Sequence, residues 1–358
     1  MFLERLALRN FRNYAELAVA FAPGLNVITG DNAQGKTNLL EAIYWLLRAV
    51  PLRPVADRDL ILWGETAARA EGFIRAAGGA RGIVVAIGPD GKRITAGGVP
   101  ARRRELVELA GVVTFTPDDL WLVKGSARER RRYLDREVAA FVPAYGDDLA
   151  RYRRALAQRN AALRAADRSA AEVWTEKLVA YGARVLSARL KFLACLVPVA
   201  RELFARWDGA ELNVRYRSIT PLGGSDPASL AEALRAVLAK NAARELELGQ
   251  TLAGPHRDDL ALEVGGRPAG TAASQGQQRS LVLALKLAQV RLWQKQTGES
   301  PVMLLDDVFS ELDGTRRARL LAPLDAGLQM FVTATQPACR ETAAAVYRVA
   351  GGRLIKEV

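Results

Sequence analysis

Three short stretches hold residues whose types and spacing suit phosphate chemistry. Gly30-Asp31-Asn32-Ala33-Gln34-Gly35-Lys36-Thr37 fits the pattern G-x-x-x-x-G-K-[ST]. Its glycines let the backbone turn tightly, so that several N–H groups can point at one anion. Lys36 can reach the β- and γ-phosphates of ATP, and the Thr37 hydroxyl can be placed on Mg2+. The second stretch is Val302–Leu305 followed by Asp306-Asp307. A buried apolar strand there would deliver Asp306 to the magnesium shell, with Asp307 next to it to orient or deprotonate a water. The third, Ser274-Gln275-Gly276-Gln277-Gln278-Arg279, reads alone as a polar turn opening a helix.

These residues need elements to carry them. Leu25–Thr29 is a short buried-type strand ending at Gly30, and a helix is expected from Lys36 to about Ala49, with Leu39, Leu40, Ile43 and Leu47 on one side. Its N-terminal dipole adds to the phosphate site, whose residues run from Gly30 to Asn38. Leu3–Leu8 and Glu16–Phe21 read as a hairpin turning at Asn10 and Asn13, and residues 70–100 as antiparallel strands with glycine turns. Residues 127–245, rich in Ala, Arg and Leu, read as a helical arm with a lone strand at Asn213–Arg217. Val179, Ala183, Leu186, Leu190, Leu193 and Val197 form one apolar stripe, expected as an internal packing seam, and Pro198 is expected to kink or end that helix. A further helix is expected over Gly276–Gln294, and strands at 301–306 and 330–334.

The bulk properties narrow the field. No apolar run approaches a membrane span, and the start lacks the order of a signal peptide. Two distant cysteines, Cys195 and Cys339, make neither a disulfide framework nor a metal cluster, so a cytoplasmic location is expected. The single histidine, His256, excludes a multi-histidine metal site. It suits either a phosphate or DNA contact, or a hydrogen-bonded turn before a strand. The net charge is +12, and residues 121–170 hold twelve Lys/Arg against six acids, half of the excess. Arg128, Arg130, Arg131, Arg132 and Arg136 make a dense basic face suited to DNA phosphates, the alternative being a salt-bridged helix surface. No base-reading module is apparent, so backbone and shape recognition is expected.

Taken in order, the P-loop, the Ser-x-Gly-Gln helix start, the aspartate strand and the acidic loop Ser310-Glu311-Leu312-Asp313 resemble the ABC-type ATPase head. The resemblance makes Ser274 and Gly276 signature residues, with Gln277 beside them, and Ser310–Asp313 the loop that crosses a dimer interface. Thr335 stands where many such heads carry a switch histidine. About 235 residues separate Lys36 from Ser274, and the insert is a modest arm rather than a long coiled coil. With Leu8–Tyr14, Phe115–Leu120, Val123–Ser126 and Gly254–Asp259, this pattern resembles the RecF family across the whole chain.

The resemblance implies an α/β head split across both chain ends, residues 1–120 and 246–358, with an inserted helical arm at 121–245. It implies ATP-dependent dimerisation and binding to double-stranded, gapped or junction DNA. It also implies weak, DNA-stimulated ATP hydrolysis, and partnership with RecR and RecO in recombinase loading. A signature serine grips the γ-phosphate only by facing a second P-loop, so ATP would bridge two copies. The sequence departs from the general ABC pattern at three points. Asp307 replaces the usual glutamate, which predicts slow hydrolysis; Phe115–Asp119 occupies the lid position without a clear glutamine; and Thr335 cannot carry a histidine's charge. The other expectations open at this stage are the ATPase subunit of a membrane transporter and a P-loop kinase for a small molecule.

Overall fold

A computed structural model of the chain describes residues 1–309, 313–322, 327–335 and 342–357. Ser310, Glu311 and Leu312 of the acidic loop, and Cys339, lie outside the described residues. The chain forms two compact units, one of residues 1–119 and 289–358, the other of residues 120–288. Residues 246–288 fall in the second unit. Asp259–Val264 pairs antiparallel with Leu212–Arg217, the strand expected to stand alone.

The first unit is built on two six-stranded sheets. In one, Leu25–Thr29, Met330–Ala334, Val302–Leu305, Val112–Phe115 and Ala345–Ala350 run parallel, and Arg353–Lys356 adds an antiparallel edge. All five residues of Leu25–Thr29 and all four of Val302–Leu305 are buried, as parallel strands covered on both faces require. The other sheet is antiparallel, from Tyr14–Ala20 and Phe2–Phe11 through Ala68–Ala76, Gly79–Gly88 and Gly91–Ala96 to Val99–Pro100. Leu3 and Leu6 both reach the core although three residues apart, because the pairing slips between Leu3 and Arg5.

The helix Lys36–Arg48 differs from its expected one-sided burial. Eleven of its thirteen residues are buried, and its side chains share one core cluster with residues of both sheets. A helix enclosed on all sides has no solvent face to keep polar. Trp45, fully buried and 5.4 Å from the Phe11 ring, anchors that core; its removal should cost about 3–5 kcal/mol.

The second unit carries the helices Ala127–Phe141, Tyr145–Arg164, Arg168–Asp208 and Pro227–Leu248. Their ends follow local chemistry. Asp167 and Asp226 cap two starts through the N–H groups of Ala170 and Ser229, and Gly209 and Gly249 end the same two in the left-handed conformation. The apolar stripe is buried except for Leu190, which is partly buried. Pro198 neither ends nor interrupts the 41-residue helix Arg168–Asp208. Pro198 and Ala194, whose carbonyl loses its partner there, are exposed, so water can satisfy that carbonyl.

Candidate nucleotide site

The P-loop leaves the carboxyl end of Leu25–Thr29 and runs into the helix Lys36–Arg48. Gly30 sits at φ 142, and a Cβ there would meet Val349 O at 2.4 Å. Gly35 sits at φ 115 against the Asn13 amide, where a Cβ would lie 2.4 Å from Nδ2. The helix has no side-chain cap and no acid in its first turn, so its leading N–H groups and dipole face the loop. Lys36, 8 % exposed, donates from Nζ to Gly30 O at 2.6 Å and Asp31 O at 2.8 Å.

The loop is held from outside by residues that the motif does not contain. Asn13 donates from Nδ2 to Gln34 O at 2.9 Å and accepts from Asn38 Nδ2 at 2.8 Å. The Tyr14 hydroxyl donates to Gly35 O at 2.9 Å, and Gln34 Oε1 accepts from Gly351 N at 2.7 Å. Gln34 and Asn38 are thus tied to the hairpin turn and the C-terminal strands. Asn13 reads in sequence only as a turn former; its place beside Tyr14 in the family-like start of the chain is the one signal of this role.

Thr37 Oγ1 donates to Asp306 Oδ1 at 2.9 Å, across 269 residues of sequence. Burial pushes the Asp306 carboxyl above the ordinary carboxylate range, and hydrogen bonds from Thr333 and Thr37 offset part of that. The two oxygens fit Mg2+, which takes one or two protein oxygens and completes its shell from phosphates and water. No group of three or more His, Cys, Asp or Glu able to hold a metal occurs among the described residues. Asp307 follows at φ 49 with its side chain exposed. Thr335 is exposed after the strand Met330–Ala334. Thr333, which the sequence reading passes over, is the hydroxyl that reaches the two acids; a lone hydroxyl near the carboxyl end of a buried apolar strand was the available signal.

The second unit holds Ser274, Gly276 and Gln277. Ser274 is exposed at the start of the helix Gln275–Thr297, with Gly276 in its first turn. Ser274 Oγ accepts from Gln277 N at 3.2 Å, and Gln277 Oε1 accepts from Ser274 N at 3.1 Å. This reciprocal cap fixes the serine at an exposed helix N-terminus, a position suited to an anion. In the first unit, Asp313 caps the helix Gly314–Leu321 through Arg316 N at 2.8 Å.

The basic face divides. Arg130 donates from Nε and Nη2 to Asp259 at 2.7 Å each and from Nη1 to Gly125 O at 2.7 Å. Arg131 donates to Asp258 O at 2.7 Å, and Arg136 pairs with buried Glu137 at 2.7 Å. Arg128 and Arg132, four residues apart on the same helix, are exposed. His256 also turns inward. Its Nδ1 meets the Tyr152 hydroxyl at 2.6 Å and its Nε2 the Thr251 carbonyl at 3.2 Å. The carbonyl requires Nε2 to carry the proton, so Nδ1 accepts from Tyr152. Burial pushes the imidazole down to about 4, leaving it neutral near pH 7. The adjoining Asp258 accepts from Tyr216 and Ser218 at 2.7 Å each, so Gly254–Asp259 acts as a joint inside this unit.

A family model described as RecF/RecN/SMC N terminal domain matches residues 2–354. The DNA replication and repair protein RecF of Desulforudis audaxviator is 46 % identical over 337 residues, covering 93 % of this chain and 94 % of the relative. The same-named protein of Bacillus subtilis is 39 % identical over 372 residues, covering 99 % and 100 %. A solved structure of the recombination mediator protein RecF-ATPrS in the RecFOR pathway superposes with a TM-score of 0.92 at 30 % identity, covering 100 % of this chain and 98 % of that one. An SMC head bound to the C-winged helix domain of ScpA shares the fold alone, at a TM-score of 0.57 and 18 % identity. The fold is therefore that of an ABC-type ATPase head, and the chain belongs to the RecF family.

Proposed function

We propose that this protein is an ATP-dependent, DNA-binding switch of replication and recombinational repair. Its two copies close around two nucleotides and part as slow hydrolysis proceeds. The observation that carries the reading is the Thr37–Asp306 hydrogen bond, which joins the P-loop to the acid strand. Lys36 and the loop N–H groups bind and orient the phosphates, with Gly30–Asn38 as the cradle. Thr37 and Asp306 hold Mg2+, which neutralises phosphate charge, and Asp307 orients the attacking water. Ser274 and Gly276, with Gln277 fixing the helix start, meet the γ-phosphate on the other copy, and Thr335 lies near the same phosphate. DNA binds through exposed Arg128 and Arg132, with Arg130, Arg131 and Arg136 shaping the face. DNA with double-stranded segments and single-strand junctions is the substrate, binding stimulates hydrolysis, and RecR and RecO are the protein partners.

Relatives named for DNA replication and repair, and a neighbour titled as a recombination mediator, support this reading over a transporter subunit or a small-molecule kinase. Among the described residues no helix is long and apolar enough to cross a membrane. Light scattering with MgATP and DNA, each alone and together, tests the reading. A dimer that forms with MgATP and is absent from Lys36→Met supports it. A molecule that stays monomeric at every nucleotide and DNA concentration contradicts it.

A further inference from the structure

We infer that Thr333 is a positioning residue that sets both acids of the site, Asp306 and Asp307. The inference rests on reading Gly30–Thr37 and Asp306-Asp307 as a nucleotide site. Thr333 lies on the strand Met330–Ala334, where Val332 pairs with Leu305, so Thr333 stands level with Asp306 just past the acid strand. It is 1 % exposed. A threonine hydroxyl has one hydrogen to give and lone pairs to accept with. Thr333 Oγ1 gives its hydrogen to Asp306 Oδ1 at 2.8 Å and accepts from Asp307 N at 2.8 Å.

The two bonds do different things. Asp306 Oδ1 takes hydrogens from Thr37 on the P-loop and from Thr333 on the neighbouring strand, so the carboxylate is held from two sides. Thr37 is assigned to the metal; Thr333 is the donor outside the metal's shell that keeps Asp306 in place. The second bond holds the backbone of Asp307, a non-glycine residue at φ 49. That conformation is costly for an L-residue and persists where the surroundings enforce it. Thr333 supplies such enforcement at the amide that starts the turn, and the turn decides where the Asp307 carboxylate points. One hydroxyl thereby links metal binding to water orientation.

Thr333→Val keeps the side-chain shape and removes both bonds, whereas Thr333→Ser keeps the hydroxyl. Groups that orient metal ligands typically change metal affinity or activity by about 10–100-fold. Two readouts apply: binding of a fluorescent ATP analogue in Mg2+ and in EDTA, and the Mg2+ concentration giving half-maximal hydrolysis. The expected T333V result is a rise of about tenfold in half-maximal Mg2+ and a fall of about tenfold in kcat, with binding in EDTA within about twofold of wild type. T333S should restore both. A T333V protein with wild-type Mg2+ response and kcat overturns the inference, as does a T333S protein as defective as T333V. If T333V does not fold, Thr333→Ala is measured in its place with the same expected Mg2+ shift and the same overturning result. A wild-type protein that binds no nucleotide overturns the site reading and this inference together. A wild-type protein that binds, beside an unaffected variant, overturns the inference alone.

Discussion

Arg130→Ala should destabilise the second unit more than it weakens DNA binding. The guanidinium makes a two-pronged pair with Asp259 at 2.7 Å and a third bond to Gly125 O at 2.7 Å. The side chains are 20 % and 29 % exposed, so water screens the pair only in part. Burial alone would raise the Asp259 carboxyl, yet the Arg130 bonds hold it below the usual range. Fully exposed ion pairs contribute about 0–1 kcal/mol, and breaking fully buried ones costs about 3–5 kcal/mol. A half-screened, two-pronged pair lies between, so the loss should be about 2–3 kcal/mol. Arg128→Ala and Arg132→Ala, at exposed positions, should each cost under about 0.5 kcal/mol. Their effect belongs on DNA, where each lost phosphate contact flattens the log–log salt dependence of affinity by about 0.9. Urea unfolding and fluorescence anisotropy on duplex DNA at several salt concentrations separate the two outcomes. The reasoning is refuted if Arg130→Ala unfolds like wild type, or if Arg128→Ala and Arg132→Ala together leave DNA affinity and its salt slope unchanged.

Other outcomes follow from the same geometry. Asp307→Asn should retain MgATP binding and slow hydrolysis by about 100-fold or more; an unchanged single-turnover rate would remove Asp307 from the mechanism. Gly35→Ala, at φ 115 and against Asn13, should lower nucleotide affinity by more than about tenfold, and wild-type affinity by fluorescence titration would contradict the clamp. His256 is held near 4 by burial against an ordinary 6.5, so below 6.5 the unfolded chain takes up a proton that the folded one does not. Its contribution is full above about 6.5 and is lost as pH falls towards 4, about 2 kcal/mol at pH 5. Urea unfolding at pH 7 and pH 5 should show this loss in wild type and not in His256→Gln; equal losses would contradict it.

The sequence showed what short-range pattern encodes. The apolar strand into Gly30, the strand ending at Asp306 and the stripe from Val179 to Val197 each carry their signal within a few turns or residues. Partners far away in sequence were hidden. Arg130 reads as a free cation until Asp259, 129 residues on, is placed against it. Asn13 and Thr333 reach the site through sheet neighbours that no local spacing records. Pro198 does not end its helix, because solvent can replace the lost hydrogen bond and the packed residues Leu196, Val197 and Ala200 hold the helix on either side. The pairing of Asp259–Val264 with Leu212–Arg217 is likewise a long-range choice.

Mixing two damaged proteins measures whether one nucleotide is gripped by two copies. Lys36→Met and Ser274→Arg should each be nearly inactive as ATPases alone. Mixed in equal amounts, they form hybrids with one intact site, built from Lys36 of one copy and Ser274 of the other. Random pairing then returns about a quarter of the wild-type rate. No recovery on mixing, or a Ser274→Arg protein that hydrolyses ATP at the wild-type rate by itself, would contradict the shared site.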